Sequence, residues 1–250
     1  WLKPCGPRPG GAADRVGAGV TGREGRRSVR PAAMNIFRLS GDMLHLSSIL
    51  LLLWKLHKSK SCVGISCRMQ EMYAMVFIFR YLDLLWSYVS VYNTVMKIIF
   101  ITGTINLMYL MRLKQPISQT YDRATDSFRY EIYLLGPCFL LGILCTEEYT
   151  IPEVLWSTSI WLESVAILPQ LVLLQQMREV ENLTSHFVGC MGAYRALYIL
   201  NWVFRYFSDG FINWVGWIGG LVQTILYADF FYYYITSKMY GGKLVLPMAS

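Results

Sequence analysis

Charged and aromatic side chains recur at helical spacing within stretches of this sequence that are otherwise strongly apolar. Arg38, Asp42 and His45 are separated by four and three positions, and Arg80 and Asp83 by three. A further stripe has offsets of four, four and three and consists of Tyr194, Tyr198, Trp202 and Arg205. Residues three or four apart share one face of a helix. Guanidinium groups beside aromatic walls suit an acidic ligand, because guanidinium binds carboxylates bidentately and stays charged.

His45 lies among these arginines and carboxylates, which makes it a candidate pH sensor. The reference pKa of histidine is about 6.5, so modest changes in its surroundings switch its charge near neutral pH. One alternative stays open: the charges form structural ion pairs between helices, and the Tyr and Trp rings belong to interfacial belts. The charged residues in or beside apolar stretches are Arg38, Asp42, His45, Arg80, Asp83, Glu163, Arg195, Arg205 and Asp229.

The composition indicates that a membrane protein positions these residues. Hydrophobic residues make up 54% of the chain and charged residues 16%, whereas soluble proteins average about 25% charged. Mean hydropathy is +0.36. The net charge of +7 does not indicate a nucleic-acid partner, because residues 1–33 hold seven of the 23 basic residues and two of the 16 acidic ones. We expect this basic leader to be disordered and the mature protein to begin at Met34.

Seven apolar segments are predicted to cross the membrane as helices, since about 20 apolar residues span the hydrocarbon core. They cover residues 36–56, 71–89, 92–112, 131–147, 152–175, 187–207 and 212–236. The breaks after the first, third and fifth segments are rich in Lys and Arg, whereas those after the second, fourth and sixth contain neither. Basic loops stay cytosolic. We therefore expect a lumenal or outer N-terminus and a short cytosolic tail at 238–250.

An internal repeat relates two of these segments. Residues 73–81 and 198–206 share the pattern Tyr-x5-Phe-Arg-Tyr, and both are expected to run in the same direction through the membrane. The fifth segment contains Pro169-Gln170, the kind of pair that names the PQ-loop group. The predicted fold is an all-α membrane protein. Its seven transmembrane helices form two three-helix repeats plus a linking helix, as in PQ-loop and SWEET-like transporters.

No catalytic motif is present, since the sequence lacks a Gly-rich phosphate loop, a nucleophile elbow and an HExxH motif. We expect a protein that is not an enzyme and that needs no cofactor or metal. A PQ-loop or SWEET-like small-solute transporter fits the layout, but three arginines and a histidine suit an acidic peptide better than a neutral sugar. A signalling seven-helix receptor fits less well, because the extramembrane loops are very short.

Several long motifs follow one another along the chain. They are Met-Asn-Ile-Phe-Arg-Leu at 34–39, Gly41-Asp42 with His45, Gly-Ile-Ser at 64–66, Arg-Tyr-Leu-Asp at 80–83, Leu-Glu-Ser-Val-Ala-Ile-Leu-Pro-Gln at 162–170, Ala-Tyr-Arg at 193–195, Gly-Leu-Val-Gln-Thr at 220–224 and Asp-Phe-Phe at 229–231. Together they resemble the KDEL/HDEL receptors, the ER-retention receptors, over essentially all of residues 34–247. Several details are closer to plant or algal members than to animal ones.

The resemblance implies a seven-helix receptor for Golgi-to-ER retrieval in the membranes of both compartments. Such a receptor binds the C-terminal Lys/His-Asp-Glu-Leu signal of escaped ER proteins in the acidic Golgi and releases it in the ER. Its implied partners are these signals, the COPI coat, other coat proteins and membrane lipid.

The resemblance also assigns roles to individual residues. Arg80, next to Tyr81, corresponds to the arginine that receives the terminal carboxylate, while Arg38 and Arg205 correspond to those that pair with the signal's two acidic side chains. The pair expected to meet the first residue of the signal is Glu153 and Trp156. The proton-sensitive group consists of His45, Glu163 and Tyr194. The remaining residues implied at or around the signal are Asp83, Arg195, Tyr198, Trp202 and Asp229.

The tail departs from the pattern of animal members, which end in a lysine-dense segment. Here Lys238 and Lys243 flank two glycines and are the lysines of the tail. We expect these two lysines to carry any coat interaction, or the coat to recognise a different pattern.

Overall fold

The computed structural model describes residues 35–146, 148–210, 212–240 and 244–246. This part of the chain is mostly helical, and its α-helices are α1 (Ile36–Ser59), α2 (Cys67–Arg80), α3 (Val91–Arg112), α4 (Gly136–Leu144), α5 (Ile151–Val165), α6 (Leu168–Met177), α7 (Asn182–Asp209) and α8 (Trp214–Tyr240). Two short strands, β1 (Glu179–Val180) and β2 (Leu244–Val245), pair antiparallel. Tighter 3-10 turns occur at Leu82–Leu85 and Ile117–Thr120, and a π turn at Glu131–Leu135 leads into α4. The leader at 1–33, Met34 and Lys243 lie outside the described residues.

Four helices of the described chain are long and apolar enough to cross a membrane, and they are Ile36–Ser59, Val91–Arg112, Ile151–Met177 and Asn182–Ser208. A shorter apolar helix covers Glu131–Leu144. The third of the long helices is interrupted between α5 and α6, where Pro169 lies in the first turn of α6. Proline lacks a backbone N–H and fits the start of a helix better than its interior.

The sequence predicts a helix over residues 71–89, but α2 ends at Arg80, so the prediction is wrong for residues 81–89. The backbone of Tyr81 leaves the helical region (φ −104°, ψ 18°), and a 3-10 turn follows. In this turn the N–H groups of Trp86 and Ser87 both donate to the carbonyl of Asp83. The Asp83 side chain in this turn forms an ion pair with Lys97 on α3, so a charged pair lies where apolar content predicted a continuing helix.

A carboxylate from a distant loop caps the N-terminus of α2. Asp126 is buried and accepts hydrogen bonds from the Ser66 hydroxyl at 2.7 Å, from the Cys67 N–H at 2.8 Å and from the Arg68 N–H at 3.2 Å. The Tyr121 hydroxyl donates to the same carboxylate at 2.7 Å, and burial together with the nearby Asp126 raises the pKa of Tyr121. Unpaired N–H groups at a helix start favour an anion, so Asp126 fixes the 113–130 loop against α2.

Gln170 connects the break between α5 and α6 to the turn that precedes α2. Its side-chain amide donates to the carbonyl of Gly64 at 2.8 Å and accepts the N–H of Ser66 at 2.8 Å. Gly64 has a φ of +78°, a conformation that glycine adopts without strain. Gln170 is fully buried, so its two hydrogen bonds hold the 60–66 turn against α6. We call this end of the molecule, formed by segments 60–66, 113–130 and 178–181, the loop end.

Residues 244–246 lie against the loop end. Strand β2 pairs with β1 so that Glu179 lies opposite Val245 and Val180 opposite Leu244. The N–H of Leu246 donates to the carbonyl of Arg178 at 3.1 Å. Leu244, Leu246 and Val180 are buried, so apolar packing as well as backbone pairing holds the described part of the tail in place.

Helix α1 packs along α7, while α5 contacts α2, α4 and α8. The contacts of α4 with α5 and of α7 with α8 depend on glycine, because a side chain would collide with the neighbouring helix. A Cβ at Gly142 would lie 2.8 Å from the backbone Cα of Thr158 on α5, and one at Gly220 would lie 2.7 Å from the Trp202 ring on α7. The close packing brings α1, α2, α3, α5 and α7 around one polar cavity.

Candidate ligand site

The cavity lies between helix ends that carry arginines and aromatic residues. Its volume is about 30 Å³, and its lining residues are Arg38, Asp42, Arg80, Tyr81, Tyr92, Asn93, Met96, Lys97, Phe100, Trp156 and Tyr198. A space of this size holds about two water molecules. Binding anything as large as the end of a peptide therefore requires the cavity to widen.

Arg80 forms a buried ion pair at the base of the cavity. Its Nη1 donates to Glu163 Oε2 at 2.6 Å, its Nη2 to the Ser159 carbonyl at 2.8 Å and its Nε to the Ser159 hydroxyl at 3.0 Å. Both side chains of the pair are at most 4% exposed. Arg195 Nη1 lies 3.6 Å from the same Glu163 oxygen. Two guanidinium groups on different helices therefore hold one carboxylate.

His45 stacks on the ring of Tyr194, and this contact joins α1 to α7. The ring centroids are 4.3 Å apart and the planes differ by 4°. Phe100 stacks against His45 at 4.8 Å, and the Tyr194 hydroxyl donates to Glu163 Oε1 at 2.9 Å. The three residues that the sequence grouped as proton-sensitive are thus in one cluster. His45 is 2% exposed.

Asp42 is held by hydroxyl groups. Tyr92 donates to its Oδ2 at 2.9 Å, and Tyr198 donates to its Oδ1. The sequence predicted that Asp42 shares a helix face with Arg38, and both residues line the cavity. Asn35 also donates to Asn201 at 2.6 Å, so polar contacts join the start of α1 to α7 beside the cavity.

Lys97 is a cavity residue that the sequence reasoning missed. Its Nζ lies 2.6 Å from Asp83 Oδ2 and 5.4 Å from the centroid of the Tyr81 ring. The side chain is buried, on the first half of α3. The signal in the sequence is a lysine inside the apolar segment 92–112, which has no charged neighbour at helical spacing.

Other expected residues line the cavity or lie on α5 and α7, two of the helices that form it. Trp156 lines it, and Glu153 is half-buried one turn earlier on α5. Arg195 lies over the ring of Trp202 at 5.2 Å, and Arg205 is half-buried about one turn before the end of α7.

Two expected residues lie away from the cavity. Asp229 is exposed on α8, because the helix turns Tyr227 and Phe230 inward and Asp229 outward, so its expected supporting role at the cavity is not met. Lys238 lies near the loop end, where it donates to Asn182 and lies 5.7 Å from the ring centroid of Tyr234. Within the described ranges no cluster of three or more His, Cys, Asp or Glu side chains could hold a metal ion.

Comparison with known proteins identifies the family. The family model described as ER lumen protein retaining receptor matches residues 61–205. The chain is 62% identical over 216 residues to the ER lumen protein-retaining receptor of Plasmodium falciparum, an alignment that covers 86% of this chain and 98% of the relative. It is 53% identical over 215 residues to ER lumen protein-retaining receptor B of Arabidopsis thaliana, with 86% and 100% covered.

Identity to ER lumen protein-retaining receptor 2 of Danio rerio is 48% over 214 residues, covering 86% of this chain and 100% of the relative. The plant relative is thus somewhat more similar than this animal one, as the sequence motifs indicated. The matched family model covers more than half of the chain, and it includes Arg80, Glu163, Tyr194 and Arg205. This chain belongs to the ER lumen protein-retaining receptor family.

Proposed function

We propose that this protein retrieves escaped ER proteins from the Golgi by binding their C-terminal Lys/His-Asp-Glu-Leu signal. The observation that carries the proposal is the cavity in which Arg38, Arg80 and Lys97 converge between helices. The signal presents two acidic side chains and a terminal carboxylate, and several desolvated cations match that charge pattern. The names of the relatives support a retention role, which favours retrieval over the small-solute transporter.

In this proposal Arg80 receives the terminal carboxylate, with Tyr81 beside it, while Arg38 and Arg205 take the acidic side chains. Trp156 and Glu153 meet the first residue of the signal. Arg80 already donates to Glu163 and Ser159, so its guanidinium is oriented before a ligand arrives. Such preorganisation reduces the entropy lost on binding.

The proposed pH dependence centres on His45, which faces charged or titratable groups on α1, α2, α5 and α7, while α3 contributes Phe100. These groups are Asp42, Tyr73, Arg80, Glu163, Tyr194 and Arg195. The carboxylates of Glu163 and Asp42 and the guanidinium groups of Arg80 and Arg195 all surround His45, and a bound signal brings further negative charge. If binding adds a proton to His45, affinity rises as pH falls, by up to about tenfold per pH unit for one proton. Tight binding in the acidic Golgi and release in the ER follow from that sign.

We further propose that the chain crosses the membrane seven times as two three-helix repeats. The packing supports this arrangement, because each contact in one repeat has a counterpart in the other. The contact of α1 with α3 corresponds to that of α5 with α8, and α2 with α3 corresponds to α7 with α8. Between the repeats, α1 with α7 corresponds to α5 with α2. The N-terminus would then be lumenal and the C-terminus cytosolic in ER and Golgi membranes.

A cytosolic loop end would present the tail to the COPI coat and to other coat proteins, with membrane lipid around the helices. Lys238 is exposed near the end of α8 and is available to a coat once it leaves Asn182. Lys243 is the second lysine proposed for this contact.

The decisive experiment measures binding of a synthetic peptide that ends in Lys-Asp-Glu-Leu to the purified full-length protein. Titrations at pH about 5.5 and about 7.4 should show binding at the lower pH and about tenfold to hundredfold weaker binding at the higher pH. The matched control is the same peptide with a C-terminal amide, which should bind weakly at both. Absence of binding at pH about 5.5, or equal affinity at both, would refute the retrieval mechanism.

A further inference from the structure

Lys97 and Asp83 form a second ion pair beside the cavity, next to the Arg80–Glu163 pair. The Lys97 side chain is 8% exposed and the Asp83 side chain 12%. Lys97 lines the same cavity as Arg38 and Arg80. Asp83 comes from the 3-10 turn that follows α2, and Lys97 from α3, so the pair bridges two elements at the cavity wall.

The two ion pairs differ in how completely their carboxylates are satisfied. Both oxygens of Glu163 accept hydrogen bonds, from Arg80 and from Tyr194. Asp83 binds Lys97 through Oδ2, while its Oδ1 is buried and has no hydrogen-bond partner within the described part of the chain. A buried ion pair offsets the loss of hydration only when the remaining lone pairs are also bonded. The Lys97–Asp83 pair is therefore the weaker of the two.

The chemistry of lysine makes this pair exchangeable. An ammonium on a four-carbon stem has rotatable donors and changes partner without backbone movement, whereas the forked Arg80 guanidinium is fixed by three hydrogen bonds. A carboxylate that enters the cavity can therefore bind Lys97, because Asp83, the present partner of Lys97, lacks a hydrogen bond at its second oxygen.

We propose that Lys97 is a further ligand-binding cation for the retrieval signal and that Asp83 is its internal competitor. In the empty protein Asp83 holds the Lys97 ammonium, and on binding the ammonium turns to a carboxylate of the signal. The inference rests on the proposed function and deepens it. Asp83 thereby lowers the affinity for the signal and keeps a buried lysine paired while the cavity is empty.

The test measures peptide affinity at pH about 5.5 for full-length variants at position 97. Lys97→Gln should weaken binding of the Lys-Asp-Glu-Leu peptide about tenfold or more, and Lys97→Arg, which keeps the charge, should recover most of the loss. The matched control is Lys55→Gln. Lys55 is also a buried lysine in an ion pair, 2.8 Å from Glu181, but lies at the loop end. The Lys55→Gln substitution should lower the melting temperature and leave the peptide affinity unchanged.

Modified peptides identify the carboxylate that Lys97 receives. Three peptides each lose one negative charge, through a C-terminal amide, Glu replaced by Gln, or Asp replaced by Asn. Each change should lower the affinity for the wild type. For the Lys97→Gln variant, one of the three changes should lower the affinity much less than it does for the wild type, and the carboxylate removed by that change is the partner of Lys97. If all three keep their full effect, Lys97 contacts no carboxylate of the signal and the inference is overturned.

Asp83→Asn tests the competition directly. The peptide used here ends in Ala-Asp-Glu-Leu and lacks the lysine at the first position of the signal. Asp83 therefore cannot contribute to the measured affinity by contacting that lysine. This peptide should bind about threefold or more tightly to Asp83→Asn than to the wild type. Equal or weaker binding overturns the competitor role. If the wild type binds the Lys-Asp-Glu-Leu peptide while the variants match it, this inference alone fails. If the wild type does not bind, the proposed function fails.

Discussion

The imidazole of His45 lies parallel to the phenol ring of Tyr194, with 4.3 Å between centroids and 4° between planes. Tyr194 in turn donates its hydroxyl to Glu163, which binds Arg80. A change of charge on His45 therefore acts through one ring on the carboxylate that orients an arginine of the cavity. This chain of contacts connects His45 to the ligand site.

Replacing His45 with Phe should flatten the pH dependence of signal binding. The phenyl ring retains the stack on Tyr194 but cannot take up a proton, so the slope of log Kd against pH should fall by about one. Titrations between pH about 5 and about 8 measure the slope. The control is His57→Phe, since His57 is exposed on α1. A wild-type slope in His45→Phe would remove this residue as the sensor.

Arg80→Lys should weaken signal binding at pH about 5.5 by about tenfold to hundredfold. Lysine keeps the charge but cannot make the forked contacts to Glu163 and Ser159, so the cation is no longer oriented. Calorimetric titration with the Lys-Asp-Glu-Leu peptide gives the affinity, and Arg68→Lys, on the partly exposed residue at the loop end, is the control. Unchanged affinity in Arg80→Lys would show that orientation of the fork is unimportant.

Asp126→Ala should destabilise the fold without changing the affinity for the signal. The substitution leaves two N–H groups of α2 and the hydroxyls of Ser66 and Tyr121 without their acceptor. A loss of about 2–4 kcal/mol is expected, measured as a lower melting temperature in detergent. Asp122→Ala, at an exposed turn in the same loop, should have little effect. A large change in peptide affinity would contradict the separation of the loop end from the cavity.

Gly142→Ala should separate α4 from α5. The new Cβ would lie 2.8 Å from both the Cα and the N of Thr158, and backbone atoms cannot turn aside as a side chain can. Destabilisation of about 1–3 kcal/mol or more follows. Gly136→Ala is the matched control, because nothing lies within 4 Å of its Cβ position. Equal melting temperatures in the two variants would show that α4 is free to shift.

Helical spacing predicted those cavity residues that lie on the same helix as another one, such as Arg38 and Asp42. It could not predict Lys97, whose partner Asp83 lies on a turn that only the folded chain brings close. Apolar content likewise predicted a helix up to residue 89, because hydropathy does not show that the chain leaves the helical conformation at Tyr81 or that Asp83 pairs with Lys97. The outward position of Asp229 depends on the rotation of α8 about its axis, which packing against α5 and α7 sets.

Loop contacts were the least predictable part. Ser66 and Asp126 are 60 positions apart. Nothing in this spacing indicates that Asp126 caps α2, the helix that Ser66 precedes. The motif around Gln170 was visible, but its role in bonding the backbone at Gly64 and Ser66 required the fold.

The hydrogen bonds of Gln170 determine which substitutions the sequence can accept at and around this residue. Both of them join main-chain atoms of the 60–66 turn, so they are indifferent to which side chains the turn carries. An amide must persist at position 170, since a carboxylate lacks the donor and an apolar residue lacks both groups. In evolutionary terms, the glutamine carries the constraint, whereas the exposed side chain of Val63, next to its contacts, can be exchanged without disturbing them.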